Sequence, residues 1–337
     1  MAAAPAPCLA RAVAVLTNVE GAHRVHGWDS PLTLANVSLG MGQTAMMATF
    51  TSIGSPHPYV HDQVSLSLRS EGRWDVSDPH DIAAAAGVQL PTHDGRTFLD
   101  VGAQLGYYSL AFARRGFRVV AIEPLLLNAL ALEASVCLEH SAPRIAVLHT
   151  AAVSRDQSAS GSCAVLSPWR GVSNDFGNGV LECINRTSKS FGQQCSRKHN
   201  GKVLASNFTY FFHYRRFCQQ VAAPLRTLDE IVAEHDAATF STSGTAATSV
   251  DAHSSQPQHP TFDVAKVDTA GSECDVLDGG VATLSHTALL MINVETGRSR
   301  ACAEQFAARH GFQIYPWVAA SRRAKPGQHV VLSRIAR

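Results

Sequence analysis

The chain has 337 residues, with 28 Lys and Arg against 27 Asp and Glu for a net charge of +1. That balance excludes a globally basic nucleic-acid coat and an acidic tail as its main business. Hydrophobic residues make up 45 % and charged residues 16 %, the latter below the roughly 25 % usual for soluble domains. The length supports a sizeable core, in one large domain or two ordinary ones.

Residues 1–18 are rich in Ala, lack acids, and carry one basic residue, Arg11, inside the apolar run rather than before it. The composition suits an organellar transit peptide, though without its Ser, or a frayed leader of no function. Residues 1–96 are expected to form an N-terminal extension or cap. From residue 97 a β/α alternation begins. Thr97–Val101 reads as a strand, residues 107–115 as a helix stopped by Gly116, and Arg118–Ile122 as a second buried strand. Residues 125–140 carry apolar residues at helical spacing. A third strand is expected at 145–149.

The alternation resumes late. Strands are expected at 262–268 and 288–295, and helices at 227–235, 273–284 and 300–310. Two terminal strands follow, at 312–316 and His329–Ser333. Near-continuous apolar strands alternating with helices predict an α/β fold with a mostly parallel sheet covered on both faces. Two insertions interrupt it. One, at 154–223, reads as irregular, with basic residues among Phe191, Phe208, Tyr210, Phe211, Phe212 and Tyr214. The other, at 237–261, is rich in Ser, Thr, Ala and His without periodicity, and reads as a disordered surface segment. The most apolar long window, residues 121–138, is broken by Glu123 and Glu133, so no membrane span is expected.

The eight Cys show no C-x-x-C and no zinc spacing with His, so no metal is expected. Cys183, Cys195 and Cys218 crowd one stretch, and N-x-[ST] sequons stand at Asn36, Asn185 and Asn207. Together they hint at a secretory lumen, with two of those three cysteines bridged. Organellar and cytoplasmic locations stay open.

The main motif lies between the first strand and its helix: Asp100, Gly102 and Gly106, followed by Tyr107 and Tyr108. Its spacing is G-x-x-x-G, not the G-x-G-x-x-G of dinucleotide binders, which disfavours a nicotinamide oxidoreductase. Glycines there let a backbone approach a ligand, and the helix N-terminus suits a carboxylate or phosphate. Glu123 ends the second strand, where its carboxylate can accept from both hydroxyls of an adenosine ribose. Taken singly, Gly102 makes a tight turn and Glu123 caps a helix. Jointly they read as a cofactor site.

Lys266 and Asp268, two residues apart on the fourth strand, point the same way. A Lys within an apolar strand needs a partner, and Glu295 at the end of the fifth strand is a natural one. Lys266, Asp268 and Glu295 are therefore expected as a polar cluster under an acceptor, with Asp268 orienting a hydroxyl or taking its proton. The bland alternative is a structural ion pair fixing the strand ends. His149 and His213 are minor candidates, at the adenine side and in the aromatic insertion.

These motifs resemble the FkbM family of S-adenosylmethionine-dependent methyltransferases, a class I, Rossmann-like group. The resemblance rests on residues 98–109 (Phe-Leu-Asp-Val-Gly-Ala-Gln-Leu-Gly-Tyr-Tyr-Ser) and on Val120-Ala121-Ile122-Glu123-Pro124 with Asn128. It extends to Thr227-Leu228-Asp229, to Lys266-Val267-Asp268-Thr269-Ala270-Gly271-Ser272-Glu273, and to Glu295. It covers residues 97–317 without the insertions, and residues 58–75 are only loosely similar. It implies a seven-strand sheet in a methyltransferase domain at 97–337, S-adenosyl-L-methionine as cofactor, and O-methylation of a hydroxyl on a carbohydrate or small metabolite. No nucleic-acid partner is expected. One departure stands out: Ala270 occupies a position where the family carries Glu. If that acid were catalytic, the domain would be a non-catalytic cofactor- or glycan-binding relative. If it only braced a loop, Glu273 or Glu295 would compensate.

Overall fold

The computed structural model describes residues 8, 10, 32–50, 62–74, 95–141, 143–160, 163–167, 180–183, 219–221, 223–239, 262–294, 296–316 and 329–334. Its centre is a seven-stranded sheet. In chain order its strands are β3 (Thr97–Val101), β4 (Arg118–Ile122), β5 (Ile145–Leu148), β11 (Val264–Val267), β12 (Leu289–Asn293), β13 (Gln313–Pro316) and β14 (His329–Ser333). In space the order is β13-β14-β12-β11-β3-β4-β5. All neighbours from β5 to β12 run parallel, and β14 is antiparallel to both β12 and β13. This is the Rossmann-like order of class I methyltransferases. The chain runs outward from β3 through β5 and then returns to β11, so the sheet reverses direction of growth between β3 and β11, where such folds bind ligands.

Strand periodicity separates two cores. Phe98, Val119, Ala121, Val264, Leu289, Met291 and Val331 face one. Leu99, Val101, Val120, Ile122, Ala265, Val267, Leu290 and Ile292 face the other. Helices α2 (Tyr107–Arg114) and α3 (Leu126–Leu138) cover the first face. Helices α5 (Leu228–Thr239), α6 (Glu273–Gly279), α7 (Val281–Leu284) and α8 (Gly297–His310) cover the second. The predicted helix at 273–284 is thus two, divided at Gly280. Asp229 accepts from the N–H groups of Ala282 and Thr283 and so holds the start of α7. Helix α5 runs to Thr239, four residues beyond its predicted end, into the stretch read as the second insertion; the rest of that insertion lies outside the described residues.

The N-terminal part contains a hairpin, β1 (Leu32–Gly40) with β2 (Gln43–Phe50), and helix α1 (Gln63–Glu71). Their inward residues Val37, Leu39, Met47, Val64 and Leu68 join the first core. Ser135 on α3 accepts from the N–H of Ala48 at 2.9 Å, tying hairpin to helix. A disulfide joins Cys8 to Cys137 on α3. The bridge fixes residue 8 to the folded domain; residues 1–18, read as a leader, otherwise lie outside the described residues save residue 10. A second disulfide joins Cys274 on α6 to Cys302 on α8.

The first insertion is not wholly irregular. It leaves β6 (Ala151–Val153) through α4 (Arg155–Ser160) and builds a three-stranded antiparallel sheet in the order β8-β7-β9. These are β7 (Cys163–Ser167), β8 (Val180–Cys183) and β9 (Gln219–Val221). The chain then returns through β10 (Leu225–Thr227), which pairs parallel with β6. Cys163 stands opposite Cys183 in the β7–β8 register. Cys195, Cys218, Asn185, Asn207, His213 and the aromatic run lie outside the described residues. Among the described residues no helix is long and apolar enough to cross a membrane.

Candidate functional site

Four buried polar residues project from the first face at one edge of the sheet. They are Asp100 on β3, Lys266 on β11, Asn293 on β12 and His329 on β14. Each has the same parity as an inward neighbour: Phe98, Val264, Met291 and Val331. Asp100 pairs with Lys266 and Asn293 with His329 in the strand registers. Asp268 lies just beyond β11 and completes the band.

Lys266 is the hub. Its Nζ stands 3.6 Å from Asp100 Oδ1 and 3.4 Å from Asp268 Oδ2. It also donates to the carbonyl of Gly102 at 3.3 Å and lies 5.0 Å from the centre of the Tyr108 ring. The anticipated partner Glu295 lies outside the described residues. Asp268 accepts from Asn293 Nδ2 at 2.8 Å. Burial works to raise the Asp268 pKa. Lys266, His329 and the Asn293 hydrogen bond outweigh it and hold the carboxyl below its usual range. Burial raises Asp100, against the pull of Lys266 and Ser109. Burial pushes His329 down to about 4, so its imidazole is neutral at neutral pH. Asn293 and His329 escaped the sequence reading. One of sixteen histidines carries no signal alone; its parity with the polar residues shows only when the strands are laid side by side.

The loop after β3 is shaped by two glycines and one strained residue. Gly102, Gln104 and Gly106 have φ of 80°, 52° and 88°. A Cβ on Gly102 would lie 2.0 Å from the carbonyl oxygen of Asp268, and one on Gly106 would lie 2.0 Å from Leu132 Cδ1. The close approach that demands glycine is thus to the protein's own β11 end and α3. No side chain caps α2, whose first turn opens from Gly106.

Glu123 closes the site from β4. Its Oε1 accepts from Leu125 N at 2.9 Å and Asn128 Nδ2 at 3.2 Å, and its Oε2 accepts from Gln104 N at 2.8 Å. A carboxylate offers about four lone-pair sites. Three are filled, leaving room for one hydroxyl, where the sequence reading expected two. Burial raises the Glu123 pKa to about 7, against those hydrogen bonds.

Two expected cofactor residues turn elsewhere. Asp100 is 1 % exposed and accepts from Ser109 Oγ at 2.7 Å. It therefore anchors Lys266 and the first turn of α2. Tyr107 donates its hydroxyl to the carbonyl of Ser38 at 3.0 Å, so it faces the hairpin, and its neighbour Tyr108 faces the polar band. His149 Nε2 lies 3.0 Å from the Pro124 carbonyl.

The loop after β11 holds the departure at Ala270, which has φ of 51°. Glu273 Oε1 accepts from the N–H groups of Thr269 and Gly271, both at 3.0 Å. Burial raises Glu273 to about 7. This loop is braced by Glu273 without an acid at 270. Among the described residues no group of three His, Cys, Asp or Glu could hold a metal ion.

No protein-family model matches the chain. An uncharacterized methyltransferase of Mycobacterium sp. (strain JLS) is 41 % identical over 73 residues, which make 18 % of this chain and 29 % of that protein. The match thus spans less than a third of that relative's length. Among solved structures, the C-terminal domain of precorrin-6Y C5,15-methyltransferase from Rhodobacter capsulatus is 12 % identical, with 81 % of this chain and 91 % of that one covered and a TM-score of 0.36. The N-terminal domain of human METTL16, solved in complex with SAH, is 10 % identical, with coverages of 85 % and 76 % and a TM-score of 0.35. The fold class itself rests on the strand order.

Proposed function

We propose that the chain is an S-adenosylmethionine-dependent methyltransferase acting on a hydroxyl of a carbohydrate or small metabolite, in the manner of the FkbM family. The observation that carries the reading is the meeting of three elements at the switch point. They are the Gly102–Gly106 loop with the uncapped start of α2, the Glu123 carboxylate at the end of β4, and the polar band beside them. The residues fit the cofactor. Glu123 has one acceptor site left for a ribose hydroxyl, and the positive end of α2 suits the amino-acid carboxylate. When bound, the cofactor supplies an electrophilic methyl on a sulfonium; the protein's task is to place an acceptor in line with it.

On this reading Lys266 fixes Asp268, and Asp268 with Asn293 orients the acceptor hydroxyl. Asp268, 24 % exposed, is the band's accessible carboxylate. Held ionised, it is a better hydrogen-bond acceptor than proton store. His329, opposite Asn293 in the strand register and kept neutral by burial, adds no positive charge to the band. Residues 1–96, whose described hairpin and α1 pack on the first face, serve as the cap, and residues 97–337 carry the chemistry. A second reading, a domain that binds the cofactor without turnover, draws on Ala270; the brace at Glu273 weighs against it.

Calorimetry with S-adenosylmethionine and with NAD separates the cofactor classes. Binding of the first alone is the expected result. Transfer of a labelled methyl to a panel of sugars and hydroxylated metabolites then separates enzyme from binding domain. Cofactor binding with no transfer to any hydroxyl would favour the second reading.

A further inference from the structure

We infer that the chain matures in an oxidising, glycosylating compartment and carries an N-linked glycan on Asn36. The inference is independent of the methyl-transfer reading. Its first support is the pair of disulfides. Cys8–Cys137 ties the N-terminal part to α3 on the first face of the sheet, and Cys274–Cys302 ties α6 to α8 on the second. Structural disulfides persist in secretory and extracellular environments and are rare where glutathione keeps thiols reduced. Two bridges on opposite faces of one domain are hard to reconcile with a reducing compartment.

The second support is the surface around Asn36. Asn36-Val37-Ser38 is an acceptor sequon. On β1, Val37 points into the core while Asn36 and Ser38 are exposed on the outer face of the hairpin. A sugar on the Asn36 side chain thus projects into open space. The same outer face leaves apolar groups uncovered. Met46 is the direct cross-strand partner of Asn36 and is 37 % exposed. Leu34, two residues before Asn36, is 42 % exposed. The apolar faces of the first sugar rings would lie over these two side chains. The glycan is therefore the occupant that fits this patch.

The chemistry balances with the reactants of such a compartment. The Asn36 Nδ2 forms a bond to the first sugar carbon of a lipid-diphosphate-linked oligosaccharide. The carbon–oxygen bond to phosphate breaks, the diphosphate leaves with the electron pair, and Nδ2 gives up one proton. Each disulfide forms by exchange with a disulfide-bearing oxidant, which takes up the two electrons and two protons of the thiol pair.

The test uses the full chain purified from the cells that make it, lysed in a thiol-blocking reagent. Peptide mapping without reduction should find the Cys8 peptide linked to the Cys137 peptide, and Cys274 linked to Cys302. Enzymatic deglycosylation in heavy-oxygen water should mark Asn36 with the isotope. Asn36→Gln and Ser38→Ala should both remove one glycan from the intact mass, and Ser38→Thr should keep it. Four thiols blocked before reduction would overturn the compartment. Intact bridges with an unmodified Asn36 would overturn the glycan.

Discussion

Residue 102 and the carbonyl of Asp268 are so close that a side chain on one excludes the other: a Cβ at Gly102 would stand 2.0 Å from that oxygen. The first motif and the end of β11 are thereby one object. Gly102→Ala must both adopt φ near 80° and push the β11 end away. Left-handed strain costs about 1–3 kcal/mol and overpacking a similar amount. We expect a loss of roughly 2–5 kcal/mol in unfolding free energy, read by urea titration, together with weakened cofactor binding. A loss under about 1 kcal/mol would show that the loop yields freely.

Opposite pH trends are expected for stability and for cofactor affinity. Glu123 and Glu273 titrate near 7 when folded, above the 4.5 of an ordinary Glu. Between those values the folded state holds more protons than the unfolded one, so unfolding free energy falls as pH rises from about 4.5 to 7. Each group contributes at most about 3 kcal/mol across that window. Ribose binding needs the ionised Glu123, so affinity rises over the same interval. Calorimetry across this range checks both trends, and Glu123→Gln should flatten the affinity trend.

Removing the cation at the hub should be costly in a way that a second change repairs. Lys266→Met leaves the buried Asp100 carboxylate without its counter-charge. Breaking a buried pair in this way costs about 3–5 kcal/mol. Asp100→Asn in the Lys266→Met background should recover part of the loss, because the amide still accepts from Ser109. Additive losses in chemical denaturation would mean the two groups do not interact.

Asp268→Asn should keep cofactor affinity, since the Glu123 and α2 contacts lie on other strand ends. Turnover should drop roughly 10²-fold, the scale of a misplaced reactant. The pH–rate profile should keep its shape above about pH 6, because Asp268 is already ionised there. A profile that loses an ionisation near neutrality would make Asp268 the proton acceptor.

The loop at 269–271 separates bracing from chemistry. Ala270→Gly relieves a left-handed Ala and should stabilise by up to about 1 kcal/mol with turnover unchanged. Glu273→Ala removes the oxygen that accepts from both Thr269 N and Gly271 N and should lower both stability and turnover. A large gain of turnover in Ala270→Glu would return the missing acid to the mechanism.

The sequence made the sheet legible because buried parallel strands are short apolar runs, and all seven strands fall where such runs end in turn residues. The hairpin was not legible. Exposed Leu34 and Met46 blur its alternation, and its inward side is defined by helices distant in sequence, α1, α2 and α3 among them. At the site, Asp268 and Lys266 were found together because they stand two residues apart in the sequence. His329 and Asn293 lie 36 positions apart and meet only through antiparallel pairing. Cysteine crowding pointed to the first insertion, yet the bridges among the described residues join Cys8 to Cys137 and Cys274 to Cys302. The packing of α6 against α8 brings Cys274 and Cys302 together.

The parallel pairing of β6 with β10 constrains any redesign of the chain between them. A parallel pair cannot be closed by a tight turn, because the chain must travel back along the full length of the strand before it can re-enter. The stretch from Ser154 to Pro224 is therefore an enlarged crossover, with the sheet of β7, β8 and β9 built upon it. It can be trimmed, but a replacement shorter than roughly a dozen residues would unpair β6 from β10. The start of α5, and Asp229 with it, would then lose the strand that leads into them.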